Sequence, residues 1–184
     1  LTNKEIELLL AQPSPNDLKG IRDKAMLELL YATGIKVSEL VSLDVDDVNL
    51  SLSFIKCGSG GKGRFIPVYP LALKALTNYL EFSRRLLVVH PDERALFVNV
   101  NGDRMTRQGF WKLLKQYAES AKIYKDITPH TLRHSFAAHL LENGADIHDI
   151  KEILGHADIS STQRYAQFLK DKMKNGYMKF HPRA

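Results

Sequence analysis

Two short β-prone runs, Leu52–Lys56 and Arg64–Val68, flank the spacer Gly58-Ser-Gly-Gly-Lys62-Gly63, and helical periodicity lies on both sides of the pair. A glycine-rich spacer between two such runs reads as a hairpin. An isolated hairpin is marginal in water, so this one must lie against the helices around it. Before it, Thr2-Asn-Lys-Glu5 is a capping box followed by Ile6, Leu9 and Leu10 on one helical face. Pro13-Ser-Pro15-Asn-Asp17 breaks the chain. A second helix then carries Ile21, Ala25, Leu29 and Leu30 and stops at Gly34, and a third runs from Val37 to about Ser42. After the hairpin, Pro70 opens a long helix with Leu73, Leu76, Leu80 and Leu87. Ala95–Val98 before Asn101-Gly102 reads as a third strand and a turn. Thr106 is an N-cap, and from there the chain is helical, with breaks near Thr128-Pro129, Gly144, Gly155 and Gly176. The expected fold is therefore mainly α with a small antiparallel β-sheet. At 184 residues it makes one domain, 1–184.

The charge balance favours no enzyme class, but 26 basic against 21 acidic residues, a net charge of +5, is compatible with a polyanionic partner. Cys57 is the only cysteine, so no internal disulfide can form, and a reducing compartment such as the cytoplasm is expected. No apolar run approaches the roughly 20 residues of a membrane span, so no membrane partner is expected.

Chemistry-bearing residues concentrate between positions 130 and 165. His130 and Arg133, three apart after Pro129, share a face at the start of a helix. There, backbone N–H groups favour an anion, an arginine fork matches two phosphate oxygens, and an imidazole can pass a proton. A solvated His beside an Arg is the bland alternative. His130 and His134 have the spacing of a helical zinc pair, but Thr131 stands where that motif needs glutamate, and no acidic third ligand is evident. No metal site is expected. His156 follows the helix stop Gly155, which can hold its ring on a turn or simply compensate the helix dipole. Tyr165, near the start of the next helix and flanked by Arg164 and Gln167, has few apolar neighbours at helical spacing, which favours a polar cleft over core packing. The glycine-rich spacer is not a nucleotide-binding loop, because Gly63 stands where that loop needs Ser or Thr. It is a hairpin tip carrying Lys62, placed to enter a DNA groove, to protonate a leaving oxygen, or merely to face solvent.

Taken in this order, these residues resemble the catalytic domain of the tyrosine recombinases, the Xer-type and phage-integrase-like members in particular. The resemblance rests on Leu29–Leu40, Arg64–Val68, Pro129-His130-Thr-Leu-Arg133-His134, Leu154-Gly-His156 and Tyr165, and it extends over essentially the whole chain. It implies strand cleavage and rejoining of double-stranded DNA without metal, cofactor or ATP. Tyr165 would attack the scissile phosphate to form a 3′-phosphotyrosyl link. Arg133 and His156 would stabilise the pentavalent phosphate and His130 would move the proton, with Glu39 and His134 in support. It also implies assembly with like or paralogous recombinase subunits as a tetramer on DNA. Members of the family carry a further N-terminal DNA-binding domain, and none is expected within this chain.

Two positions depart from the family pattern. Lys36 stands where the family has an arginine, which keeps the charge and loses the planar fork. Counted back from Arg64, the family's hairpin lysine position falls on Ser59, so Lys62 is assigned the leaving-group role. An alternative reading follows: a catalytically impaired DNA-binding relative, or an engineered inactive variant. DNA contacts are expected from Lys62, Arg64, Arg104, Arg107 and Lys112.

Overall fold

The computed structural model describes residues 1–58, 63–155 and 179–183. Helix α1 (Asn3–Leu10) begins at the expected capping box: the Thr2 side chain accepts from the Glu5 N–H, and Glu5 accepts from the Thr2 N–H at 2.7 Å. Helix α2 (Leu18–Thr33) is capped by the Asp17 carboxylate and closed by Gly34 at φ 60°. It is the central post of the domain. Ala25, Met26, Leu27, Leu29, Leu30, Tyr31 and Ala32 are all buried, as expected of a helix enclosed on all sides. Around it pack α1, α3 (Val37–Ser42), α4 (Pro70–Asn78), α5 (Arg84–Leu87) and α7 (Pro129–Glu142). Helix α6 (Arg107–Ser120) lies against α3, and α8 (Ile147–Leu154) against α7.

The sheet is small and antiparallel, in the order β1 (Val48–Asn49), β2 (Phe54–Cys57), β3 (Arg64–Pro67). Ile55 pairs with Ile66, both buried, while Lys56 and Phe65 face outward, so one face of the hairpin closes the core. The same register puts Arg64 opposite Cys57, at the end nearest the glycine-rich tip. Burial pushes the Cys57 thiol up to about 12, so it acts as a small apolar filler rather than a nucleophile.

Two expectations are corrected. The third strand of the sheet is Val48–Asn49, not Ala95–Val98. The latter makes only isolated bridges, Asp44 to Ala95 and Val98 to Arg104. Its backbone groups are satisfied elsewhere: the Leu96 N–H donates to the Leu43 carbonyl, and the carbonyls of Ala95 and Leu96 accept from Arg84. With the guanidinium in place of a neighbouring strand, there is no ladder to join. The helix from Pro70 is also not uniform. Between α4 and α5 the turn Tyr79–Ser83 widens to π geometry, where Tyr79 donates to the Leu96 carbonyl and Ser83 to the Leu18 carbonyl.

Candidate functional site

The site is built where the end of α2, the start of α3, β3, α7 and the end of α8 meet. Gly34 makes the meeting possible. At φ 60° it turns the chain from α2 to α3, and a Cβ there would lie 2.4 Å from the Phe136 ring of α7. The glycine therefore lets α7 cross close to the end of α2. Its carbonyl oxygen accepts from Arg133 Nη1 at 2.5 Å, and Arg133 Nη2 donates to the Leu154 carbonyl at 2.8 Å. One guanidinium so ties together α2, α7 and the C-terminal end of α8. Arg133 is buried; burial lowers its pKa from the ordinary arginine value, and the nearby Glu39 carboxylate works in the opposite direction. An arginine in such a setting stays charged.

Glu39 is the carboxylate of the site. It sits in the first turn of α3, where Oε2 accepts from the Lys36 N–H at 2.8 Å. Arg64 grips it with both prongs, Nη1 to Oε1 at 2.7 Å and Nη2 to Oε2 at 3.1 Å. Burial pushes the Glu39 pKa up, but the Arg64 hydrogen bonds, the Lys36 N–H and the two guanidinium charges together hold it below the usual carboxylate value. Arg64 then reaches further, with Nε donating to the Ile153 carbonyl at 2.9 Å. Two cations and one carboxylate thus share the junction, and the local balance favours an anion.

Three further side chains on the segments that meet here are open to solvent. Lys36, the N-cap of α3, is exposed, and so are His130 and His134 in the first two turns of α7. Thr128 caps α7 and Pro129 occupies its first turn, so His130 starts beside the free N–H groups of a helix N-terminus. Among the described residues, no group of three His, Cys, Asp or Glu side chains is placed to hold a metal ion. Nor is any helix among them long and apolar enough to cross a membrane.

The structure brings Lys36, Glu39, Arg64, Arg133 and the last turn of α8 to one place. Ser59, Lys62, His156 and Tyr165 lie outside the described residues. Two residues expected at a DNA surface hydrogen-bond to groups of the protein itself. Arg64 is turned onto Glu39 and α8, as above. Arg104 donates to the carbonyls of Val41 and Leu43 at 3.0 Å each and to Asp44 at 2.5 Å, closing the end of α3. Arg107 and Lys112 are exposed on α6, whose other face buries Phe110, Leu113, Leu114 and Ala118. Beside them Trp111 is partly exposed, with the Lys115 ammonium 4.2 Å above its ring.

Sequence reasoning missed the role of Arg64 and a second ionic cluster around Glu28. Glu28 is on the buried side of α2, held by Lys24 at 2.9 Å and Arg183 at 2.8 Å, and it accepts from the Tyr69 hydroxyl. His181 packs on the Tyr69 ring at 4.5 Å, and burial lowers its pKa to about 4. The signal was present in the sequence: Glu28 falls among Ala25, Leu29 and Leu30, on a stripe where a carboxylate must find a partner.

Comparison with known proteins gives a consistent picture. The profile of the phage integrase family matches residues 1–172. The tyrosine recombinase XerD of Halalkalibacterium halodurans is 51% identical over 185 residues, covering 100% of this chain and 62% of that protein. The chain thus spans less than two thirds of the length of this curated relative. The crystal structure of XerA recombinase superposes with a TM-score of 0.77 at 34% identity, covering 100% of this chain and 66% of that one. The XerH site-specific recombinase bound to its difH substrate in a pre-cleavage complex has a TM-score of 0.73 at 24% identity, covering 97% of this chain and 49% of that one, a likeness of fold.

Proposed function

Because the chain belongs to the phage integrase family, we propose that it performs the strand cleavage and rejoining of site-specific DNA recombination through a 3′-phosphotyrosyl intermediate. The observation that carries this reading is the Arg133 guanidinium, fastened to the carbonyls of Gly34 and Leu154. It joins the segment bearing Lys36, the helix bearing His130 and the turn that precedes His156 in the sequence. Such a rigid cationic frame suits a phosphate whose charge grows in the transition state.

In the proposed reaction, the Tyr165 oxygen attacks the scissile phosphorus and the bond to the 5′ oxygen breaks. That oxygen leaves as a hydroxyl after taking a proton, assigned to Lys62. Lys36, Arg133 and His156 balance the charge on the non-bridging oxygens, His130 handles the proton of the attacking phenol, and His134 supports the helix that carries it. A 5′-hydroxyl from another strand then attacks the phosphotyrosyl link and releases Tyr165. The phosphodiester energy is kept in the protein–DNA bond, so the reaction needs neither ATP nor a metal. The partners are duplex DNA and further recombinase subunits, as a tetramer on the DNA, in the cytoplasm. Arg107, Lys112 and Lys115 on the outer face of α6 supply phosphate contacts, and DNA affinity should fall steeply with added salt.

Lys36 supports a second reading, an impaired relative that binds DNA without cutting. Its ammonium lacks the fork that arginine offers a phosphate, a difference of about 10²–10³ in rate where the donor acts in the transition state. A nicked suicide duplex, whose short cleaved product diffuses away, separates the two readings. The expected result is a covalent protein–DNA band on a denaturing gel that is absent in Tyr165→Phe and stronger in Lys36→Arg. A band only in Lys36→Arg assigns the chain to the second reading. No band in either overturns the proposal.

A further inference from the structure

We propose that Arg64 is a positioning residue, which holds the end of α8 and the Glu39 carboxylate in register beneath Arg133, and that it is not a DNA contact. The inference rests on the catalytic reading above and adds a residue to it. Three observations converge on it. First, each of the three nitrogens of the Arg64 guanidinium donates inside the protein: Nη1 and Nη2 to the two oxygens of Glu39, and Nε to the Ile153 carbonyl. Second, the contact is built from both sides. Gly155 lies under the guanidinium at φ 73°, and a Cβ there would be 2.8 Å from Arg64 Cζ and 2.9 Å from Nη1. The glycine thus serves the turn and the close approach together. Third, Arg64 and Arg133 fasten adjacent carbonyls of one helix end, Ile153 and Leu154. Two guanidiniums on successive carbonyls fix the direction of that end. The next residue in the sequence after Gly155 is His156, to which the catalytic reading assigns stabilisation of the phosphate.

Lysine cannot replace this fork. An ammonium is a point donor, and reaching Glu39 it cannot also span to the Ile153 carbonyl in the planar geometry that arginine fixes. Arg64→Lys therefore keeps the charge and loses the strut, while Arg64→Gln loses both. The two variants separate the strut from a phosphate contact.

The experiment uses the chain on a nicked suicide duplex, with single-turnover cleavage, DNA affinity as a function of salt, and amide hydrogen exchange. For a strut, both variants lose about 10²-fold in cleavage rate, as misplacing reacting groups by about 1 Å does. DNA affinity and its salt slope stay those of the parent, and amides 150–155 exchange at least about tenfold faster while protection elsewhere is kept. For a phosphate contact, Arg64→Gln lowers the salt slope by about one, Arg64→Lys cleaves like the parent, and exchange in α8 is unchanged. That result overturns the proposal. If the parent chain makes no covalent product even with Lys36→Arg, the catalytic reading fails, and the exchange data still decide the strut: unchanged protection at 150–155 in Arg64→Lys overturns it. Should Arg64→Gln fail to fold, Arg64→Lys carries the rate and exchange readings.

Discussion

Glu28 and Glu39 each sit among cations, and the contrast between their surroundings separates architecture from chemistry in this domain. Glu28 is sealed: its side chain is 1% exposed, the Tyr69 hydroxyl donates to it, and Lys24 and Arg183 reach it by their charged ends. Glu39 is about one fifth exposed, beside the exposed Lys36 whose N–H it accepts. At Glu28 two cations and a hydroxyl meet one carboxylate, with Lys24 donating as well to the Leu10 carbonyl at 2.6 Å, and the group acts as a clasp between α2 and residues 179–183. At Glu39, Arg64 divides itself between the carboxylate and a helix end, and Arg133 donates to the carbonyls of Gly34 and Leu154. Similar ingredients close a core in one place and make a more solvated cluster in the other.

The strongest way to break this contrast is at the sealed pole. Glu28→Gln removes the buried carboxylate that Arg183, Lys24 and Tyr69 share, and urea unfolding should show a loss of about 3 kcal/mol. A loss under about 1 kcal/mol would mean that Glu28 is no more a clasp than a surface pair is. At the open pole the effect moves from stability to rate. Arg133→Lys should lower single-turnover cleavage by about 10²–10³-fold, because the point charge cannot hold two carbonyls and a phosphate in one plane.

A pH series sharpens the difference. Burial keeps His181 neutral in the folded protein down to about 4, whereas the unfolded chain takes up its proton near 6.5. The unfolded state therefore binds more protons between these values, and stability falls as pH falls through that window. The loss from pH 7 to pH 5 is about 2 kcal/mol. His181→Phe, which keeps the ring packing, should flatten that slope, and an unchanged slope would remove His181 from the account. The smallest effect is expected from Glu39→Gln. It should cost only about 1 kcal/mol in unfolding, since its ion pair is partly solvated, and about tenfold in cleavage rate, near 1.4 kcal/mol of barrier. A stability loss as large as that of Glu28→Gln would erase the distinction between the poles.

How far the sequence alone reached also follows from these surroundings. Local chemistry was legible where the chain caps itself. Thr2 with Glu5, Gly34, Thr106 and Thr128 announce helix ends through residues a few positions apart, and all four stand where expected. The hairpin was legible from its glycines and alternation, and the structure pairs Phe54–Cys57 with Arg64–Pro67. Ala95–Val98 was not, because its apolar run is as suited to a buried loop as to a strand, and the deciding partner, Arg84, lies on another element. Residue type and position alone suggest DNA contacts for Arg64 and Arg104. Their inward turn depends on carbonyls at Ile153, Val41 and Leu43, acceptors that every residue offers and that no sequence pattern marks. The motif around His130 and Arg133 pointed to the junction, whereas the contacts that orient Arg133 come from Gly34 and Leu154, distant in the chain.

The central claim is that this frame serves a tyrosine that becomes bonded to DNA. Mass spectrometry of the peptide-linked nucleotide, after the trapped complex is digested with protease and nuclease, tests it most directly. The account predicts a nucleotide on the peptide containing Tyr165, joined through the phenolic oxygen to a 3′-phosphate. A nucleotide attached to any other side chain, or a cleaved duplex with no protein-linked nucleotide, would contradict it.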